Sequence, residues 1–203
     1  MATARRSHYH MGRSPQVVAL CGSRRDASKT RIAARTALAA AADAGARTTL
    51  LDRREYHLPA FDPDRGDVGD APALREVVAG ADAILLATPN YHGSYSGVLK
   101  NALDYLGRDE FAGKPVGLIE VAGGSVPKPA LAHLRGVCRT LNAWPLPLEV
   151  GIPESSETVG SERVEDDALR DRLRRLGRET VAYAGVENYP DLADRRVAAR
   201  ADP

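Results

Sequence analysis

Five short apolar runs, at 17–21, 48–51, 83–87, 116–121 and 146–150, most constrain how this chain can fold. Runs of four to six residues without regular polar alternation suit strands covered on both faces, which is the situation of a parallel sheet. The segments between them, 31–44, 71–79, 97–106 and 130–141, are long enough for crossover helices, and a final helix is expected over 163–183. Gly45 stands where the first helix should stop. This alternation predicts an open, doubly wound α/β sheet with helices on both faces. The connection at 58–72, rich in proline and acidic residues, is long for such a fold and therefore reads as functional.

At 203 residues the chain makes one domain with a substantial core. We expect a flexible tail at 1–14, the domain at 15–188 and a mobile, charged tail at 189–203. A net charge of +1 argues against a nucleic-acid surface. No apolar stretch approaches the ~20 residues of a membrane helix, and the basic N-terminus lacks the apolar segment of a secretory signal. Cys21 and Cys138 form no spaced cluster, so a reduced, cytoplasmic protein is expected. Nor does any His/Cys/Asp/Glu spacing suggest a metal site; His57 and His133 read as isolated.

In an open α/β sheet, ligands lie outside the carboxyl ends of the strands. After the first strand, Gly22-Ser23-Arg24-Arg25-Asp26-Ala27-Ser28-Lys29-Thr30 brings hydroxyls and two arginines to a helix N-terminus. That is a phosphate site by its chemistry, with Ser23, Arg25, Ser28 and Thr30 as candidates. Ser28 or Thr30 as a plain helix cap is the competing, compatible reading. The dinucleotide fingerprint is absent, and the P-loop fails at Ala27, so a monophosphate fits best. After the third strand, Pro89, Asn90, Tyr91, His92, Gly93 and Ser94 open a loop of aromatic and small residues able to meet a flat ring with backbone donors. His92 is expected to act through its backbone, a general acid being the alternative. After the fourth strand, Gly123 and Gly124 permit close backbone approach. Together the loops point to a flavin.

These residues resemble the NAD(P)H-dependent FMN reductases, which include quinone- and azo-reducing enzymes. The first motif is matched by Gly22, Ser23, Arg25, Ser28 and Thr30. The second is matched by Pro89, Tyr91, His92, Ser94, Ser96, Gly97, Leu99, Lys100, Asn101, Ala102, Leu103 and Asp104. The segment 58–62 looks like that family's loop after the second strand. Asn90 departs from it, since many relatives carry Glu there. The resemblance spans 17–150 and implies a flavodoxin-like sheet of five parallel strands in the order 2-1-3-4-5. It also implies a non-covalent FMN, with NADPH or NADH giving hydride to the flavin, which then reduces a quinone, an azo compound or free flavin by a ping-pong mechanism. Homodimers or homotetramers built around the helix at 97–106 are expected as well. Two alternatives stand: a flavodoxin-type electron carrier, against which the near-neutral charge argues, and a reductase dedicated to a biosynthetic substrate.

Overall fold

The computed structural model describes residues 13–125 and 129–184. Most of the two expected tails therefore lies outside the described residues, although Arg13 is held by an ion pair to Asp82 at 2.6 Å. Five strands, β1 (Gln16–Cys21), β2 (Arg47–Asp52), β3 (Ala83–Tyr91), β5 (Pro115–Val121) and β6 (Trp144–Ile152), pair in parallel in the order β2-β1-β3-β5-β6. Counted along the chain, this is the expected order. A sixth strand, the two-residue β4 (Ser94–Tyr95), pairs antiparallel with the end of β3 and corrects the expected count.

The helices are α1 (Lys29–Asp43), α2 (Ala71–Ala79), α3 (Gly97–Asp104), α4 (Arg108–Phe111), α5 (Pro129–Thr140), α6 (Ser155–Thr158) and α7 (Asp167–Tyr183). Alternate residues of the central strands feed two cores. Val17, Ala19, Leu85 and Ile119 face α1 and α7, while Val18, Leu20, Ile84, Leu86 and Leu118 face α2, α3 and α5. Burial on both faces is why these runs lack polar alternation, and each large side chain contributes ~1.5–3 kcal/mol.

The alanine content of α1 reflects a close helix crossing. A Cβ on Gly177 of α7 would overlap the Ala37 carbonyl, so α7 lies directly on the Ala33, Ala34, Ala37 and Ala41 face of α1. The expected stop is present: Gly45 has φ +94°, and Ala46 N–H donates back to Ala41 O, closing a Schellman-type cap. Cys21 and Cys138 are both buried free thiols, and burial pushes Cys138 up to about 12. Among the described residues no helix is long and apolar enough to cross a membrane.

Candidate functional site

The carboxyl ends of all five parallel strands lie on one edge, with Cys21 opposite Asp52 and Ala87. The strand order reverses beside β1, and the loops after β1, β3 and β5 meet there.

Loop 22–28 leaves β1 through Gly22. Its N–H donates to Ala87 O at 2.8 Å, and its carbonyl accepts from Ser96 Oγ at 2.6 Å. Any Cβ at Gly22 would crowd Leu99 Cβ and Ser96 Oγ, so only glycine fits beneath the start of α3. Ser28 is the N-cap of α1, its hydroxyl accepting from Arg31 N–H at 3.1 Å. The plain capping reading is thus correct for Ser28. Ser23, Ser28 and Thr30 are buried, whereas Arg24, Arg25, Asp26 and Ala27 are exposed.

Sequence reasoning missed the residue that shapes this loop. Arg31, 4 % exposed, runs beneath it and donates from Nη2 to the carbonyls of Arg25 and Asp26, each at 2.7 Å. Its Nη1 meets Asp52 Oδ2 at 3.3 Å. Arg54 closes the network, bonding Asp52 Oδ2 at 2.7 Å and Asp26 Oδ1 at 3.1 Å. Burial alone would raise the Asp52 carboxyl, but the Arg54 hydrogen bonds and the charges of Arg31 and Arg54 outweigh it and hold the carboxyl below its usual range. Two carbonyls are thereby turned inward. A trans peptide points its N–H opposite its C=O, so the N–H groups of Asp26 and Ala27 face away from Arg31, on the exposed side of the loop. The unpaired first N–H groups of α1 follow. This donor set, flanked by Arg25, fits a phosphate monoester.

The second loop is a hairpin and not an open loop. β3 runs on through Pro89, Asn90 and Tyr91, beyond the point where β1 ends opposite Ala87. There, among the described residues, β5 is its only parallel neighbour, so the missing N–H of Pro89 is tolerated. His92 and Gly93 form the two-residue turn with φ +54° and +78°, a type I′ geometry that histidine tolerates better than most residues. Asn90 Oδ1 accepts from Gly93 N–H at 3.0 Å, while its Nδ2 donates to Glu120 Oε1 at 2.5 Å. Thr88 Oγ1 accepts from Ser96 N–H, and Ser96 caps α3 through Leu99 N–H. Tyr91 is 54 % exposed and His92 is exposed. His133 is not isolated: its Nδ1 lies 2.9 Å from Ser94 Oγ, and its ring stands edge-on to Tyr95.

The third loop begins at Ala122 and is fastened to the chain after β6. Ser155 N–H donates to Ala122 O, Glu154 N–H to Gly124 O, and Lys29 Nζ to Ser155 O at 2.5 Å. Among the described residues, nothing lies within 4 Å of the Cβ positions of Gly93, Gly123 and Gly124, which gives the room a flat ring needs. The connection after β2 is anchored by α3. Asn101 Oδ1 accepts from Phe61 N–H at 2.8 Å, its Nδ2 donates to Pro59 O at 2.7 Å, and the Phe61 and Tyr105 rings meet edge to face at 5.1 Å. Asn101 thus holds the loop at 58–61.

A loop whose donors fit a phosphate monoester and two glycine-bearing loops thus lie at one switch point, and the model of the NADPH-dependent FMN reductases matches residues 15–157. The chain belongs to that family. It is 38 % identical over 137 residues to an FMN-dependent NADPH-azoreductase of Staphylococcus aureus, covering 66 % of this chain and 71 % of that protein. In structure it is similar to the NADH:FMN oxidoreductase EMOB in its apo form, with a TM-score of 0.69 and 25 % identity over 89 % of this chain and 98 % of the other. It is also similar in fold to the flavoenzyme FerB of Paracoccus denitrificans, with a TM-score of 0.69 and 23 % identity over 84 % of this chain and 97 % of the other. Family membership makes the chain an oxidoreductase, with FMN and NADPH as the family's flavin and hydride donor.

Proposed function

We propose that the protein uses FMN to carry electrons from NADPH to a small acceptor, with azo compounds, quinones and free flavin as the acceptor class. The observation that carries this reading is the Arg31-braced loop with its outward N–H groups, which follows a strand bonded through Gly22 to Ala87 and Ser96 of the second loop. In this reading the N–H groups of Asp26 and Ala27, the Ser28 hydroxyl and the Arg25 guanidinium hold the phosphate. Residues 89–94, with Gly123 and Gly124, bracket the ring.

Bound here, FMN would supply two-electron chemistry between the reduced nicotinamide and the acceptor. The protein's part is orientation. The hairpin holds the backbone of Tyr91, His92 and Gly93 rigid, and the left-handed φ of His92 suits a residue acting through its backbone. Donor and acceptor share one cleft in turn, which makes turnover ping-pong. NADPH is favoured over NADH by an excess of positive charge beside loop 22–28. Burial and the charge of Arg24 together hold the Arg53 guanidinium below its ordinary range, and among the described residues Arg53 Nε is buried without a hydrogen-bond partner.

For assembly, the apolar residues of α3 support less than its sequence suggests, because Leu99, Ala102 and Leu103 are buried within the protomer. A groove of about 710 Å³ between α3 and α5 supports it better, with the partly exposed Val137 and Leu141 in its lining and Lys100 and Asp104 among its charged groups. We place a second copy of the chain there, and the enzyme in the cytoplasm.

Replacing Arg25 and Ser28 together by Ala removes charge-assisted bonds of ~1.5–3 kcal/mol each, so FMN binding by fluorescence quenching should weaken at least tenfold. Unchanged affinity in that variant sinks the phosphate assignment.

A further inference from the structure

Glu120 is fully buried, lies at the carboxyl end of β5 and belongs to none of the motifs read from the sequence. Its two oxygens join separate elements. Oε1 accepts from Asn90 Nδ2 at 2.5 Å, and Oε2 accepts from Leu131 N–H at 3.1 Å. Leu131 is the third residue of α5, so the carboxylate satisfies an N–H that has no partner within the helix, and it sits at the positive end of that helix. Asn90 in turn accepts from Gly93 N–H through Oδ1. A single polar chain therefore runs from the His92–Gly93 turn through Asn90 and Glu120 to the start of α5.

The donor and acceptor order along this chain is fixed. Gly93 N–H and Leu131 N–H can only donate, so the amide oxygen of Asn90 must face Gly93 and its NH₂ must face residue 120. Residue 120 then receives a donor at each end, and only a group with two acceptors satisfies both. A carboxylate does so, whereas a glutamine leaves one buried donor unmatched. Unmatched buried donors are costly, and so are two carboxylates in contact.

We propose that Glu120 is a positioning residue of the flavin site. As a buried carboxylate it orients Asn90, and through Asn90 it fixes the left-handed His92–Gly93 turn and ties it to α5, which follows the third loop. The role rests on the reading of 89–94 as the ring-binding loop. It also accounts for Asn90 in this chain: with Glu120 beneath it, an acid at position 90 would set two carboxylates against each other.

The chain's polarity supplies the test. Glu120→Gln and Asn90→Asp each break the order. Together, as N90D/E120Q, they restore it in reverse with side chains of the same size: Asp accepts from Gly93 and from Gln Nε2, and Gln Oε1 accepts from Leu131. FMN binding is measured by fluorescence quenching, and exchange of the Gly93 and Leu131 amides by NMR. Each single variant is expected to weaken FMN binding about tenfold and to speed Gly93 exchange, and the double variant to return both to within about threefold of the original. Original FMN affinity in E120Q, or a double variant no better than the singles, would overturn the proposal. If a single variant does not fold, the double variant, which pairs the Gly93 and Leu131 N–H groups again, carries the comparison. If the unaltered protein binds no FMN, the FMN reading falls separately, and the positioning role is judged on amide exchange without cofactor: the same rescue pattern supports it and its absence overturns it.

Discussion

Replacing Arg31 by Met should reveal how much of the site is held from beneath. The substitution keeps most of the buried aliphatic stem and removes the guanidinium. Lost with it are two 2.7 Å bonds to the Arg25 and Asp26 carbonyls and the 3.3 Å contact to Asp52. Breaking a buried ion pair costs ~3–5 kcal/mol, chiefly through the partner left behind. Here Asp52 keeps Arg54 at 2.7 Å, and exposed loop residues let water reach the freed carbonyls, so the low end, ~3 kcal/mol, applies. For a chain of this length that lowers the melting temperature by roughly 6–12 °C. FMN affinity falls as well, because the two released peptide units must be ordered again on binding. At ~1–2 kcal/mol per residue this amounts to at least ~30-fold in Kd. Urea unfolding of the apoprotein and an FMN titration measure both quantities. A stability change under ~1 kcal/mol, with an unaltered FMN Kd, would refute the idea that Arg31 shapes the loop.

Asp52 makes stability depend on acid. Its carboxyl lies below the ordinary value of ~3.9 in the folded state, so its contribution is complete above that pH and is lost as pH falls through the folded value. Urea midpoints measured downward from pH 6 should drop less steeply below about pH 4 in Arg31→Met than in the original protein, and equal slopes would contradict the pairing. In Asn101→Ala, the loop at 58–61 loses bonds from Phe61 N–H and to Pro59 O, which costs ~1–2 kcal/mol and should open it to limited proteolysis. Unchanged cleavage kinetics would show that Tyr105 and Phe61 hold the loop without Asn101.

The sheet was legible because its signal is local. Each central run is apolar on both faces, and Gly45 marks a helix end within the first crossover. The hairpin after β3 was less visible because Pro89 reads as a strand stop; it fails to stop β3 only because β1 has already ended there. His92-Gly93 between Tyr91 and Ser94 is in retrospect a two-residue turn signal. Arg31, Asp52 and Glu120 were illegible for a different reason. A charged residue reads as surface until its partner is known, and these partners lie 21 residues away for Arg31–Asp52 and 30 for Asn90–Glu120.

The family motifs were found easily, but their polar residues proved to be mainly supports. Ser28 and Ser96 cap helices, Asn101 clamps the loop at 58–61, and Asn90 bridges a turn to a buried acid. In the proposed site backbone N–H groups meet the ligand, and every residue but proline has one, so such contacts leave no side-chain trace in the sequence. What can be traced is the apparatus that aims them: glycines where a Cβ would intrude, caps at helix starts, and buried charges that turn carbonyls inward. The motif is therefore best read as a description of how the loops are held. Residues that hold them from outside the motif, Arg31 and Glu120 first among them, belong to the same apparatus.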